Sequence, residues 1–337
     1  MHEALFYRKK DGDIVVCDLC GHHCRLGDGE HGRCSVRQNI GGLLYSLVYG
    51  YLVANHVDPV EKKPLFHFLP GSLSYSISTV GCNFACRHCQ NSSISQPQPV
   101  DKDMIPGTWF SPESVVAEAL AGGCRSISYT YVEPTIFFEF AYDCAVLARQ
   151  AGIKNVFVSN GFMSEKAGRM LAPKLDAINI DIKSFSEDFY KKVCSARLAP
   201  VLDTVRLMKQ LGVWVEVTTL LIPGLNDSDE ELAQVAQFIH GVDPSIPWHV
   251  TSFYPTYKMT NRSPTPISTL RRARNIGLEA GLKFVYEGNV PGEGGENSYC
   301  PRCNCQVISR HGFTVRANHL DNGCCHECAT EIAGVWR

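Results

Sequence analysis

The chain has 337 residues, with 32 Lys and Arg against 34 Asp and Glu. The resulting formal charge of −2 provides no global field that would draw it to nucleic acid or anionic lipid. A 45% hydrophobic, 20% charged composition is that of a globular protein, and no stretch approaches the roughly 18 uninterrupted apolar residues of a membrane helix.

The opening, MHEALFYRKKDGDIVV, lacks the apolar core of a secretory signal, which predicts a cytoplasmic location. Residues 1–72 are expected to form a Cys-rich N-terminal segment. It carries Cys17, Cys20, Cys24 and Cys34, then a hairpin-like apolar run, Gly42–Ala54, then the polar stretch DPVEKKPLFHFLPGS. From 73 to 290 short β-rich runs alternate with longer helical ones, the rhythm of βα units around a parallel sheet. Strands are expected at Leu73–Val80, Arg125–Tyr131, Lys154–Ser159, Ala177–Lys183, Val213–Leu221, Trp248–Phe253 and Lys283–Tyr286. Helices are expected at Pro112–Ala121, Pro134–Gln150, Glu165–Ala172, Val201–Leu211, Asp229–His240 and Ile267–Ala280. Ser111-Pro112-Glu113 and Asp227-Ser228-Asp229 supply helix-start signals. The fold class is therefore α/β, a partial (β/α)6 TIM-like barrel, with a doubly wound sheet as the competing layout. A Gly-rich loop, 287–297, leads to a third unit at 298–337.

Sixteen cysteines without an export signal argue for metal or redox use over disulfides. Cys124, Cys144 and Cys194 stand alone in apolar segments and read as inert buried thiols. Cys82, Cys86 and Cys89 are spaced CxxxCxxC directly after the first predicted barrel strand. Three thiolates in so short a loop can wrap one face of a cubane. A closed zinc site would need a fourth ligand, and the only adjacent candidate, His88, is strained by its neighbour Cys89. An open [4Fe–4S] site is favoured.

CxxxCxxC at this place resembles the radical S-adenosylmethionine (SAM) superfamily over about residues 73–286. The resemblance implies that Cys82, Cys86 and Cys89 ligate three irons while SAM chelates the fourth. It further implies reductive cleavage of SAM to a 5′-deoxyadenosyl radical that abstracts hydrogen from a substrate. Tyr131-Val132-Glu133-Pro134 stands where the superfamily carries Gly-Gly-Glu-Pro, so Glu133 inherits the role of meeting SAM's amino group, while the glycines' backbone contacts are missing. Asp181-Ile182-Lys183 resembles the Asp-x-Lys of glycyl-radical activating enzymes, which places Asp181 and Lys183 beside SAM as the catalytic pair. Ser159 and Asn160 resemble the polar turn near the ribose, Thr219 to Asn226 resembles the loop that packs on adenine, with Thr219 and Ile222 as contacts, and Phe84 and His88 border the cofactor from the cysteine loop.

Cys17, Cys20, Cys24 and Cys34 suffice for zinc or a second iron–sulfur cluster, and spacing does not separate the two. Cys300, Cys303, Cys325 and Cys328, two knuckles 21 residues apart, read as a zinc ribbon, with Cys305 and Cys324 as possible replacement ligands. The whole chain, from CDLCGHHCRLGDGEHGRCSVR to the C-terminal CPRC and CHEC, resembles the radical SAM members of the AmmeMemoRadiSam system, relatives of pyruvate formate-lyase activating enzymes. That implies Memo-like and AMMECR-like partners and a reductant such as flavodoxin or ferredoxin. The substrate is expected to be a protein or small molecule. An RNA-modifying enzyme and a noncatalytic iron–sulfur or zinc sensor are the alternatives.

Overall fold

The computed structural model describes residues 1–337. Its frame is an eight-stranded sheet: β1 (Ala54–Pro59), β2 (Leu73–Ser78), β3 (Ser126–Tyr129), β4 (Lys154–Ser159), β5 (Ala177–Asp181), β6 (Trp214–Leu221), β7 (Trp248–Ser252) and β8 (Val285–Gly288). The strands lie in sequence order, β8 to β1. Strands β2 to β8 are parallel, and β1 adds antiparallel to β2, with Ala54 opposite Ser78. An unreversed order excludes the doubly wound layout, whose strand order must switch direction. The end strands β1 and β8 do not pair, so the sheet is open and not a closed barrel.

Six helices cross over between the parallel strands: α1 (Pro112–Ala121), α2 (Phe138–Gln150), α3 (Glu165–Leu171), α4 (Ala199–Gln210), α5 (Asp229–Val242) and α6 (Ile267–Glu279). The expected helix starts are present. Ser111 accepts from the Ser114 amide, and Ser228 from the Glu231 amide. The helix expected from Pro134 to Gln150 is divided. Glu133 caps a 3₁₀ turn over Pro134–Phe137 by accepting from the Thr135 amide, and α2 proper begins at Phe138. The last strand lies two residues later than expected.

The N-terminal hairpin is Arg37–Ile40 with Leu43–Ser46, earlier than the expected Gly42–Ala54. Gly41 and Gly42 form its turn with φ of 58° and 77°, a two-residue geometry that admits glycine readily. Val15, Leu19, Val36 and Leu44 belong to the same continuous core as the residues beneath α1 to α6. The buried pair Arg37 and Glu139 ties this segment to α2. At the C-terminus Gln306–His311 and Thr314–Asn318 form an antiparallel hairpin, and Cys300, Val307, Ile308 and Cys325 pack on Phe66, Phe284 and Tyr286 in a second, smaller core.

The loop after β1 is pinned by one buried carboxylate. Glu216 in β6 accepts from the Phe66 and His67 amides at 3.0 and 2.8 Å, and from Trp214 Nε1 and His249 Nε2 at 3.0 and 2.7 Å. With every lone pair of Glu216 engaged, residues 66 and 67 are fixed against the N-terminal half of β6.

Candidate active site

The cysteine loop leaves β2 through Gly81, at φ 96°, where a Cβ would stand 2.7 Å from the Cys34 carbonyl and 2.6 Å from Val36 Cγ1. Only glycine admits that approach. Beyond it Cys82 and Cys89 are half-buried and Cys86 is buried. The Phe84 amide donates to Cys82 Sγ at 3.4 Å, and Cys89 Sγ lies 3.1 Å from Ser95 Oγ. The loop is braced from below, where the Ala85 and Arg87 amides donate to the Cys194 and Val193 carbonyls at 2.9 and 3.0 Å. Those acceptors end a π-helical turn, Tyr190–Cys194, followed by Ser195 in the left-handed region at φ 56°. Such turns recur at functional sites.

A cavity of about 430 Å³ opens over this loop. Cys82, Cys86, Cys89, Phe84, His88, Glu133, Ser159, Asn160, Asp181 and Lys183 all line it. They come from the C-terminal ends of β2 to β5, the rim where such folds place chemistry. Thr219 and Ile222 are not brought there. Along β6 side chains alternate, so Thr218 and Leu220 line the cavity, while Thr219 Oγ1 accepts from Trp248 Nε1 at 2.9 Å and Ile222 is fully buried.

Glu133 is 3% exposed and heavily engaged. One oxygen accepts from Thr135 N, Thr135 Oγ1 and Ser159 Oγ, the other from Asn160 N at 2.7 Å. Burial raises its pKa against the pull of these donors. Asn160 Nδ2 donates in turn to Asn83 Oδ1 at 2.8 Å, coupling β4's turn to the cysteine loop. Lys183 pairs with Asp181 at 2.9 Å, and its carbonyl accepts from Asn226 Nδ2 at 2.7 Å. Tyr131, in the place of a family glycine, adopts φ 64°, a left-handed conformation costly for a side-chain-bearing residue.

The polar stretch after residue 57 contributes to the site in a way the sequence did not signal. Lys62, Lys63 and Pro64 line the cavity. Asp58 accepts from Lys62 and Lys63, each at 2.7 Å, and Lys63 Nζ sits 4.8 Å from the Tyr131 ring centroid. Asn289 and Phe313 also reach the cavity from beyond the sheet.

The donor set fits a soft, thiolate-bound cluster with a chelating organic cofactor. Three thiols face one cavity, and burial followed by the neighbouring Cys86 charge pushes Cys82 well above the ordinary thiol range, a penalty that a bound cation would relieve. His88 Nδ1, Asn83 Nδ2 and Thr218 Oγ1 are buried without partners, which leaves polar capacity for a ligand. Burial, then the Lys183 charge, pushes His88 down to about 3, so its ring is neutral.

The two flanking cysteine groups differ in spacing. Cys300, Cys303, Cys325 and Cys328 hold their sulfurs within 4.8 Å of one another, with Cys300–Cys328 and Cys303–Cys325 both at 3.6 Å. A tetrahedron of 2.3 Å zinc–sulfur bonds places sulfurs about 3.8 Å apart, so this group fits one ion. Cys305 stands 3.2 Å from Cys325, whereas Cys324 is in neither metal-compatible group. Cys17, Cys20, Cys24 and Cys34 lie near one another, with Arg37 beside Cys17 and Cys34, without contracting to that spacing.

Comparison with known proteins agrees with this geometry. A profile of the radical SAM superfamily matches residues 76–239. An uncharacterized protein of Methanocaldococcus jannaschii is 47% identical over 322 residues, 95% of each chain. The pyruvate formate-lyase-activating enzyme of Listeria monocytogenes is 25% identical over 218 residues, 58% of this chain and 82% of that one. Streptococcus suis SuiB bound to precursor peptide SuiA shares the fold at TM-score 0.51 and 16% identity, over 68% of this chain and 51% of that one. The chain belongs to the radical SAM superfamily and is an enzyme of that family, with relatives among the pyruvate formate-lyase activating enzymes. Membership implies a [4Fe–4S] cluster and SAM, and dependence on a reductant such as flavodoxin or ferredoxin. No helix is long and apolar enough to cross a membrane.

Proposed function

We propose that this chain binds a [4Fe–4S] cluster through Cys82, Cys86 and Cys89 and SAM in the adjoining cavity, and abstracts hydrogen from a protein or small-molecule substrate in the manner of an activating enzyme. The observation that carries the reading is the convergence of the three thiols with Glu133, Asn160, Asp181 and Lys183 on one cavity. When bound, the cluster and SAM supply the 5′-deoxyadenosyl radical. The protein's own task is placement. Asp181 holds Lys183 where its ammonium meets a carboxylate or ribose hydroxyl, and Glu133 fixes the turn at Asn160. Neutral His88 and the hydroxyl of Thr218 offer further polar contacts. Lys62, Lys63 and Tyr131 form the wall a substrate meets.

The same reading places the chain among the radical SAM members of the AmmeMemoRadiSam system, with Memo-like and AMMECR-like partners, in the cytoplasm. It assigns the C-terminal Cys300, Cys303, Cys325 and Cys328 to zinc in a ribbon unit of residues 298–337. In the test, the chain is reconstituted anaerobically and supplied with SAM and a strong reductant. Methionine and 5′-deoxyadenosine are expected from the wild type and neither from the variant with Cys82, Cys86 and Cys89 replaced by Ala. Equal turnover in both would sink the proposal.

A further inference from the structure

We propose that Cys17, Cys20, Cys24 and Cys34 hold an iron–sulfur cluster, not a zinc ion, set against the Cys82–Cys89 loop to pass single electrons toward it. The inference rests on the reading of that loop as a cluster site.

Spacing separates the two terminal groups. The C-terminal sulfurs contract to the pattern of one tetrahedral ion, and no three of the N-terminal sulfurs do so, although Cys20 feels the charges of Cys17, Cys34 and Cys24. Cys82, Cys86 and Cys89 likewise do not contract to that spacing. A cubane accepts each thiolate at its own corner and so keeps its ligands further apart than a single ion does.

The surroundings suit an anionic centre. Arg37 is 1% exposed, and its Nη1 has no partner although Nη2 pairs with Glu139. Its charge acts on both Cys17 and Cys34. An orphaned guanidinium nitrogen at full burial is costly unless something negative stands beside it, and a cluster held by four thiolates supplies that charge. Cys17 and Cys34 are buried, while Cys20 and Cys24 keep a partly open side.

Position supplies the role. The Cys34 carbonyl lies against Gly81, one residue before Cys82. His22 Nε2 donates to the Asn83 carbonyl at 2.6 Å, and the Gly21 amide to the Phe162 carbonyl at 3.0 Å. The Phe162 ring meets that of Phe84 at 5.2 Å. The two cysteine groups share a wall, so an electron given up by a reduced flavodoxin-class donor, itself oxidised by one, has a short packed route to the loop centre, which is reduced by one.

The test uses the full chain with Cys82, Cys86 and Cys89 replaced by Ala, which leaves the N-terminal group intact. After anaerobic reconstitution it should retain about four irons of the wild type's roughly eight. It should also give a paramagnetic signal on reduction by a flavodoxin-class protein. Loss of all iron from this variant, with two zinc ions per chain, would overturn the cluster. Retained iron that the donor cannot reduce would overturn the electron role. Wild-type iron of about four that the triple replacement leaves untouched would instead defeat the reading of the Cys82–Cys89 loop, so the two failures are distinguishable.

Discussion

The Tyr131 hydroxyl donates to Asp58 Oδ2 at 2.5 Å, from a backbone held at φ 64°. One carboxylate thus serves a phenol and two lysines at the edge of the cavity. Local strain of this kind, offset by neighbouring contacts, clusters at working sites.

Replacing Asp58 by Asn should destabilise the fold by about 3–5 kcal/mol at neutral pH, because Lys63 would be left buried and unpaired. Burial alone would raise the Asp58 pKa, but Lys62, Lys63 and Tyr131 outweigh it and hold the carboxyl well below the usual range. A depressed folded-state value means stabilisation that is complete above the unfolded pKa near 4 and lost as pH falls below it. Denaturant titrations of both chains should therefore show the gap narrowing below about pH 4. A gap that is constant with pH would refute the ion-pair account.

Gly81→Ala should cost about 2 kcal/mol or more, since the added methyl meets the Cys34 carbonyl in a left-handed backbone. Reconstituted iron should fall with it because Cys82 follows directly. Iron content and stability equal to wild type would show that the close approach imposes no constraint.

Lys183→Ala should weaken SAM binding and leave iron unchanged. Thr219→Val should change neither SAM affinity nor iron content, and should lower stability by about 1 kcal/mol through the lost Trp248 bond. Calorimetric SAM titration of each reconstituted variant checks the pair. A larger affinity loss in Thr219→Val than in Lys183→Ala would restore the adenine role to Thr219 and remove the SAM contact from Lys183.

Chelation of zinc should release residues 298–337 to proteolysis while the sheet remains intact, because four thiolates and a small core hold that unit. Cooperative loss of the entire chain would argue that Phe66, Phe284 and Tyr286 bind it into one unit with the sheet.

Much of this architecture was legible in the sequence. The span of β4 and that of α1 match expectation to the residue, since a bounded apolar run and a Ser-Pro-Glu start leave little ambiguity. Strand β1 did not announce itself. ANHVDP is polar, half exposed and ends in proline, the signature of an edge whose identity depends on its neighbour. The three loop cysteines were readable from spacing, as were Asp181 and Lys183. Thr218 was not, because alternation along β6 defines two faces without saying which one meets the cavity. Lys62 and Lys63 lay in a polar stretch with no assigned role, and only the tertiary placement of Asp58 and Tyr131 reveals them as part of a wall.

Phe313, at the tip of the C-terminal hairpin, is one of the cavity's lining residues. With zinc in the tail as proposed, radical chemistry would depend on a redox-inert ion that never touches the reacting atoms. Starvation for that ion would let bulk solvent into the chamber, where quenching competes with productive turnover.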